Sequence, residues 1–150
     1  MVLWRISNYA DLLGIGGMNA SARWHTAGKP VVYLAESPSS ALLEILVHLE
    51  VDEEHRPDSY QLLKVKVDDR VSSREISLGD LPRNWSTDEE TTQPIGDSWL
   101  AGSSSALLRV PSAITPETWN WILNPRHTDA NKVKIVAKGK YPYDWRLFRK

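Results

Sequence analysis

Every apolar run in this chain is short. Residues 2–6, 30–34, 61–67, 106–110 and 133–137 have the five-to-seven-residue length of strands, and the one longer run, 41–49, has the length of a helix. Pieces of this size assemble into a mixed fold, with several short strands packed against a buried helix. None of them reaches the roughly 20 residues that a bilayer-spanning helix needs. Arg5 and Asp11 break the apolar content of the first fifteen residues, so no signal-peptide core forms there. An unexported, cytoplasmic chain without membrane contact is expected.

The runs carry their own boundary signals. Within 61–67, Leu63, Val65 and Val67 alternate with Lys64 and Lys66, the period-two pattern of a strand with one wet face. Ser37-Pro38 supplies an N-cap with proline at the first helical position. The helix that follows is apolar on nearly every face, which predicts burial on more than one side. Pro111 is expected to stop the strand at 106–110. A helical turn is predicted around Tyr9 to Leu13, followed by flexible glycines at 14–17. Thr115-Pro116-Glu117 predicts a second capped helix, running through Trp121. The stretch 78–96 is rich in Pro, Thr, Ser and acidic residues and reads as a surface loop or lid. With no repeat and no linker, residues 1–150 are expected to form one compact α+β domain.

Composition narrows the function. Lys and Arg number 18 against 19 Asp and Glu, a formal net charge of -1, so no chain-wide positive field exists to hold nucleic acid directly. Cysteine is absent, which excludes disulfides, thiolate zinc sites and a cysteine nucleophile. His25, His48, His55 and His127 show no ligand spacing, and no metal is expected. Seven Trp and five Tyr stand against a single Phe, a balance suited to surfaces that are both flat and wet. Trp85, Trp99, Trp119, Trp121 and Trp145 are expected to divide between core and an interface.

The candidate site starts from Glu44, a carboxylate between Leu43 and Ile45 in the apolar helix. Either that turn faces water, or the carboxylate points into a cleft, since a buried charge needs partners. Arg23-Trp24-His25 lies between the glycines and the strand that ends near Tyr33. Its guanidinium is a planar fork suited to phosphate, or an ordinary surface ion-pair partner. Ser112 lacks a GxSxG frame, so a hydrolase-type nucleophile is unsupported. Asn124-Pro125-Arg126-His127 reads as a turn.

The order of these elements is more specific than any one of them. Trp4-Arg5-Ile6, Gly16-Gly17, Arg23-Trp24-His25, Gly28-Lys29-Pro30-Val31-Val32-Tyr33, Ala41-Leu42-Leu43-Glu44, Val47-His48-Leu49, Val110-Pro111-Ser112-Ala113 and Asn124-Pro125-Arg126-His127 follow one another along the chain. This succession strongly resembles the RES-domain family, the toxins of bacterial Xre-RES toxin–antitoxin pairs. The Arg, Glu and Ser of the family name map onto Arg23, Glu44 and Ser112. Family members usually carry Gly before the Arg, where this chain has Ala22, so a position there that needed positive φ would be strained.

The resemblance implies a compact α+β fold similar to the ADP-ribosyltransferase toxins, with NAD+ as substrate. It implies either NAD+ cleavage by a glycohydrolase or phosphorylase, or transfer of ADP-ribose to a protein such as phosphoribosyl pyrophosphate synthetase. On that basis Glu44 stabilises the ribosyl cation, Arg23 and Arg5 contact the pyrophosphate, Tyr33 stacks on nicotinamide and Ser112 positions the nicotinamide ribose or amide. An Xre-type DNA-binding antitoxin and a toxin homodimer are implied as partners. The competing class is a non-enzymatic binding module whose Trp-rich surface is only an interface.

Overall fold

Five of the seven strands among the described residues form on the apolar runs, and those at Ser73–Glu75 and Trp119–Leu123 lie outside them. The computed structural model describes residues 1–49, 52 and 54–149. Its strands are β1 (Val2–Ile6), β2 (Val32–Ala35), β3 (Ser59–Val67), β4 (Ser73–Glu75), β5 (Leu107–Pro111), β6 (Trp119–Leu123) and β7 (Val133–Pro142). They make one sheet in the order β4-β5-β6-β2-β1-β3-β7, antiparallel except between β4 and β5. Three helices accompany it among the described residues, α1 (Ile15–Asn19), α2 (Pro38–His48) and α3 (Glu89–Gly102), with short 3-10 helices at Leu78–Asp80, Trp85–Thr87, Thr128–Lys132 and Trp145–Leu147. The expected α+β class holds.

Register decides which side chains meet. Trp4 pairs with Ala35, Ala35 with Asn120, and Asn120 with Val110, so these four share one face of the sheet. On that face Trp24, Val31, Trp99, Leu108, Val110 and Ile122 pack into one core cluster beneath α3. Alternation turns Leu3, Leu34, Val65, Trp121 and Leu123 to the other face, where they join a second cluster. Leu63 and Val65 lose all exposure, as the alternation with Lys64 and Lys66 predicts. Each such side chain contributes about 1.5–3 kcal/mol of burial.

Four expectations are overturned, each by tertiary contacts that local signals do not contain. No helix forms at residues 9–13; helix α1 instead begins at Ile15, straight after Gly14 in the left-handed region, and takes in both remaining glycines of that stretch. Gly17 lies against the Lys29 carbonyl and the Val31 side chain, where a Cβ would collide. Helix α2 does begin at the predicted cap, with Ser37 accepting from the Ser40 N–H, yet it is not buried on several sides. Ala41 is its buried residue, while Leu43 and Val47 are 38% and 52% exposed among the described residues. Residues 115–121 form no helix; Trp119–Leu123 is drawn into the sheet by β2 on one side and β5 on the other. The stretch 78–96 is a loop only in its first part, since Asp88 caps α3 from Glu89 onward. Pro111 is the last residue of β5 and pairs with Trp119, so it ends the strand from within. Of the tryptophans, Trp24, Trp99 and Trp121 are buried, while Trp145 is 67% exposed.

Candidate active site

Helix α2 puts Glu44 where chemistry is possible. Ala41, Glu44, Ile45 and His48 stand at the i, i+3, i+4, i+7 positions of one helical face, and all four line a cavity of about 290 Å³. Trp4, Tyr33, Ala35 and Asn120 from the sheet line it too, with Gly16, Gly17 and Ala20 of the α1 region. Glu44 therefore faces a cleft.

Two side chains hold the carboxylate. The Asn120 amide donates from Nδ2 to Glu44 Oε1 at 2.6 Å, and the Ser112 hydroxyl donates to the same oxygen at 3.2 Å. Ser112 is itself fixed, because its oxygen accepts from the N–H groups of Ile114 and Thr115 at 3.1 and 3.2 Å. Among the described residues no donor reaches Oε2 of Glu44. Asn120 is the residue that sequence reasoning missed. Its signal was a lone amide in the run Trp119-Asn120-Trp121, which only a strand assignment turns towards Glu44.

Behind the cavity, His25 and Tyr33 lock the loop that carries Arg23. His25 is 2% exposed, and its Nε2 lies 3.2 Å from the Gly17 carbonyl and 3.0 Å from that of Ala20. Two carbonyl partners require a proton on Nε2, which leaves Nδ1 of the neutral ring to accept from the Tyr33 hydroxyl at 2.9 Å. That hydroxyl in turn accepts from the Trp24 N–H at 3.2 Å. Burial holds the His25 pKa below its ordinary value and pushes the Tyr33 phenol up. The Tyr33 residue walls the cavity, while its hydroxyl is committed to the loop. Ala22 pairs with His25 across a single bridge and has no positive φ, so replacing the family's glycine introduces no strain.

The two arginines differ in placement, Arg5 being among the residues that line the cavity and Arg23 not. Arg23 donates from Nη1 to the Trp85 carbonyl at 3.3 Å, and its Nη2 lies 3.7 Å from Glu89 Oε1. Its backbone carbonyl accepts from the Thr92 hydroxyl of α3. Strand alternation turns Arg5 to the face opposite Trp4, where its Nη1 donates to the Asp11 carbonyl at 2.9 Å and burial lowers its pKa. The structure thus brings together Glu44, Ser112, the Tyr33 wall and Arg5, which lines the same cavity, while Arg23 is not among the lining residues. Ser112 itself lines a separate cavity of about 340 Å³, with Trp85 and Pro111. The Glu44–Ser112 bond therefore joins the two cavities, and Trp85, the carbonyl partner of Arg23, stands on the wall of the second. The turn at Asn124 serves the loop itself, its Oδ1 accepting from the Arg126 N–H at 3.0 Å.

Known proteins match this chain along most of its length. The model of the RES domain matches residues 2–146. A Pseudomonas putida (strain KT2440) protein named Toxin Res is 49% identical over 148 residues, covering 99% of this chain and 100% of its own. A Sphingobium sp. (strain YBL2) protein named Prs ADP-ribosylating toxin is 36% identical over 157 residues, covering 98% of this chain and 96% of its own. In fold, the chain is similar to one in the crystal structure of the M. tuberculosis MbcT-MbcA toxin–antitoxin complex, with a TM-score of 0.77 at 16% identity over 94% of this chain and 84% of that one.

Proposed function

The chain belongs to the RES domain family, and from that premise we propose that it is the toxin of a toxin–antitoxin pair, acting by cleavage of the nicotinamide–ribose bond of NAD+. The observation that carries this reading is Glu44, a residue of the cavity wall held through Oε1, with no donor to Oε2 among the described residues. As the glycosidic C–N bond breaks, its electron pair leaves on the nicotinamide nitrogen and positive charge builds on the ribose. Glu44 Oε2 accepts a hydrogen bond from a ribose hydroxyl and stabilises that charge. Water or phosphate then bonds to the ribose carbon and releases its proton, so the enzyme is a glycohydrolase or a phosphorylase. In this reading Tyr33 stacks on the nicotinamide ring and Ser112 orients the ribose. Arg23 reaches a phosphate by exchanging Glu89 for it, and Arg5 gives a second phosphate contact by leaving the Asp11 carbonyl.

The name of the Sphingobium relative favours a second reading, in which the same site passes ADP-ribose to a protein. The partner we propose is an Xre-type DNA-binding antitoxin, with the toxin as a homodimer in a cytoplasmic complex. Chromatography of NAD+ incubated with wild type and with Glu44→Gln tests the core of this. The Gln variant is expected to lose roughly 100-fold to 1,000-fold in turnover, and an equal rate in both proteins rejects the role of Glu44. Product masses with and without phosphate, and with candidate acceptor proteins, separate the two readings.

A further inference from the structure

We propose that Asn120 is the positioning residue of this site, the group that fixes the Glu44 carboxylate so that Oε2 alone meets the ligand; the assignment rests on the NAD+ reading above. A glutamate side chain rotates freely unless it is held. Here β6 supplies the hold, because Asn120, its second residue, is paired between Ala35 of β2 and Val110 of β5, which fixes its Cβ. The bond from its Nδ2 to Oε1, at 2.6 Å, is the shorter of the two that the carboxylate accepts. A charge-assisted bond of this kind is stronger than a neutral one.

The other end of the amide supports a functional role. Asn120 Oδ1 is buried and has no partner among the described residues. Flipping the amide would set its oxygen against a carboxylate oxygen, so the orientation is determined. A buried acceptor left unsatisfied is unfavourable, and an apolar residue in its place would avoid that penalty. An amide at this position therefore serves the carboxylate rather than the core.

The test separates binding from turnover in Asn120→Asp, which keeps the shape, and Asn120→Leu, which removes the donor. Both are expected to hold NAD+ within about three-fold of the wild-type affinity while kcat falls about 100-fold. Lowering the pH is expected to restore much of the Asn120→Asp activity, because a proton shared by two facing carboxyls recreates a donor, and to restore none in Asn120→Leu. A nuclear magnetic resonance readout is independent of NAD+: the Asn120 side-chain amide proton is expected downfield in wild type and shifted upfield in Glu44→Gln. An unchanged kcat in Asn120→Asp, a loss confined to KM, equal acid recovery in both variants, or an amide resonance indifferent to Glu44→Gln each overturns the proposal. Wild-type protein that leaves NAD+ intact rejects the reaction itself, and the amide resonance alone then decides whether Asn120 holds Glu44.

Discussion

With both ring nitrogens engaged and 2% of its surface exposed, His25 is kept neutral in the folded protein. Its folded pKa lies below its unfolded value of about 6.5, so the unfolded chain binds a proton that the native one does not. Stability from this group is fully present above about pH 6.5 and is lost as the pH falls below it. Asp68, Asp129 and Asp144 have pKa values pulled down by Arg70, Lys132 and Arg146, so their contributions disappear only at more acid pH, below about 4. Urea midpoints measured from about pH 8 to about pH 5 are expected to fall in wild type and to fall less in His25→Gln; parallel curves reject the assignment. Ser112 makes a second test at this scale. Ser112→Ala removes a donor from Glu44 and strands the Ile114 and Thr115 N–H groups, with an expected loss of about 1–3 kcal/mol in urea unfolding and a drop in NAD+ turnover. Glu44 was legible in the sequence because a carboxylate jars with the apolar helix around it, and Ser112 because of its place in the family order. Asn120 was not legible, since an amide between two tryptophans shows its direction only once strand alternation is known. Arg5 was legible as a cavity residue, whereas Arg23 was legible as a residue type but not as a placement, because its partners Trp85 and Glu89 lie far along the chain.

Helix α3 illustrates how elements override local sequence. Its N-terminal part is the polar stretch that reads as a loop, and Pro94 stands inside it, yet Asp88 caps it and Thr92, Gly96 and Trp99 are buried along one side. That side lies on the Arg23-Trp24-His25 loop, and Gly96 touches the Trp24 backbone so closely that any Cβ would meet the carbonyl. Gly96→Ala is expected to destabilise the protein by about 3 kcal/mol or more, since neither helix nor backbone can give way. Gly102→Ala, at the open end of the same helix with nothing within 4 Å, is expected to be neutral or to stabilise by up to about 1 kcal/mol. Chemical denaturation of the two variants checks the contrast, and equal effects refute the packing role of Gly96. The same physics sorts the elements by legibility. Strands β1, β3 and β7 could be anticipated because alternation and β-branched runs mirror the pleat. Residues 115–121 misled because Thr115-Pro116-Glu117 has the chemistry of a cap, whereas two neighbouring strands offer residues 119–123 more hydrogen bonds than a short helix does.

At the scale of the whole molecule, the cavity draws on β1, β2, β6, α1 and α2, so its lining runs from Trp4 to Asn120. A ligand that needs all of these elements in place binds the native state and not the unfolded chain. Its binding therefore stabilises the entire fold by mass action, about 2.7 kcal/mol at a concentration 100 times its Kd. In a domain of this length each kcal/mol moves Tm by about 2–4 °C, so a rise of roughly 5–10 °C is expected at that concentration. Glu44→Gln is the protein for the measurement, because loss of turnover keeps NAD+ intact during heating while Asn120 and Ser112 can still donate to the amide oxygen. In wild type the same shift is expected to shrink with incubation time as substrate disappears, at the rate chromatography records. Nicotinamide alone, which lacks the ribose and phosphates, is expected to give a smaller shift. A Tm that stays fixed from zero to millimolar NAD+ in both Glu44→Gln and the wild type at the earliest incubation time removes NAD+ from this cavity.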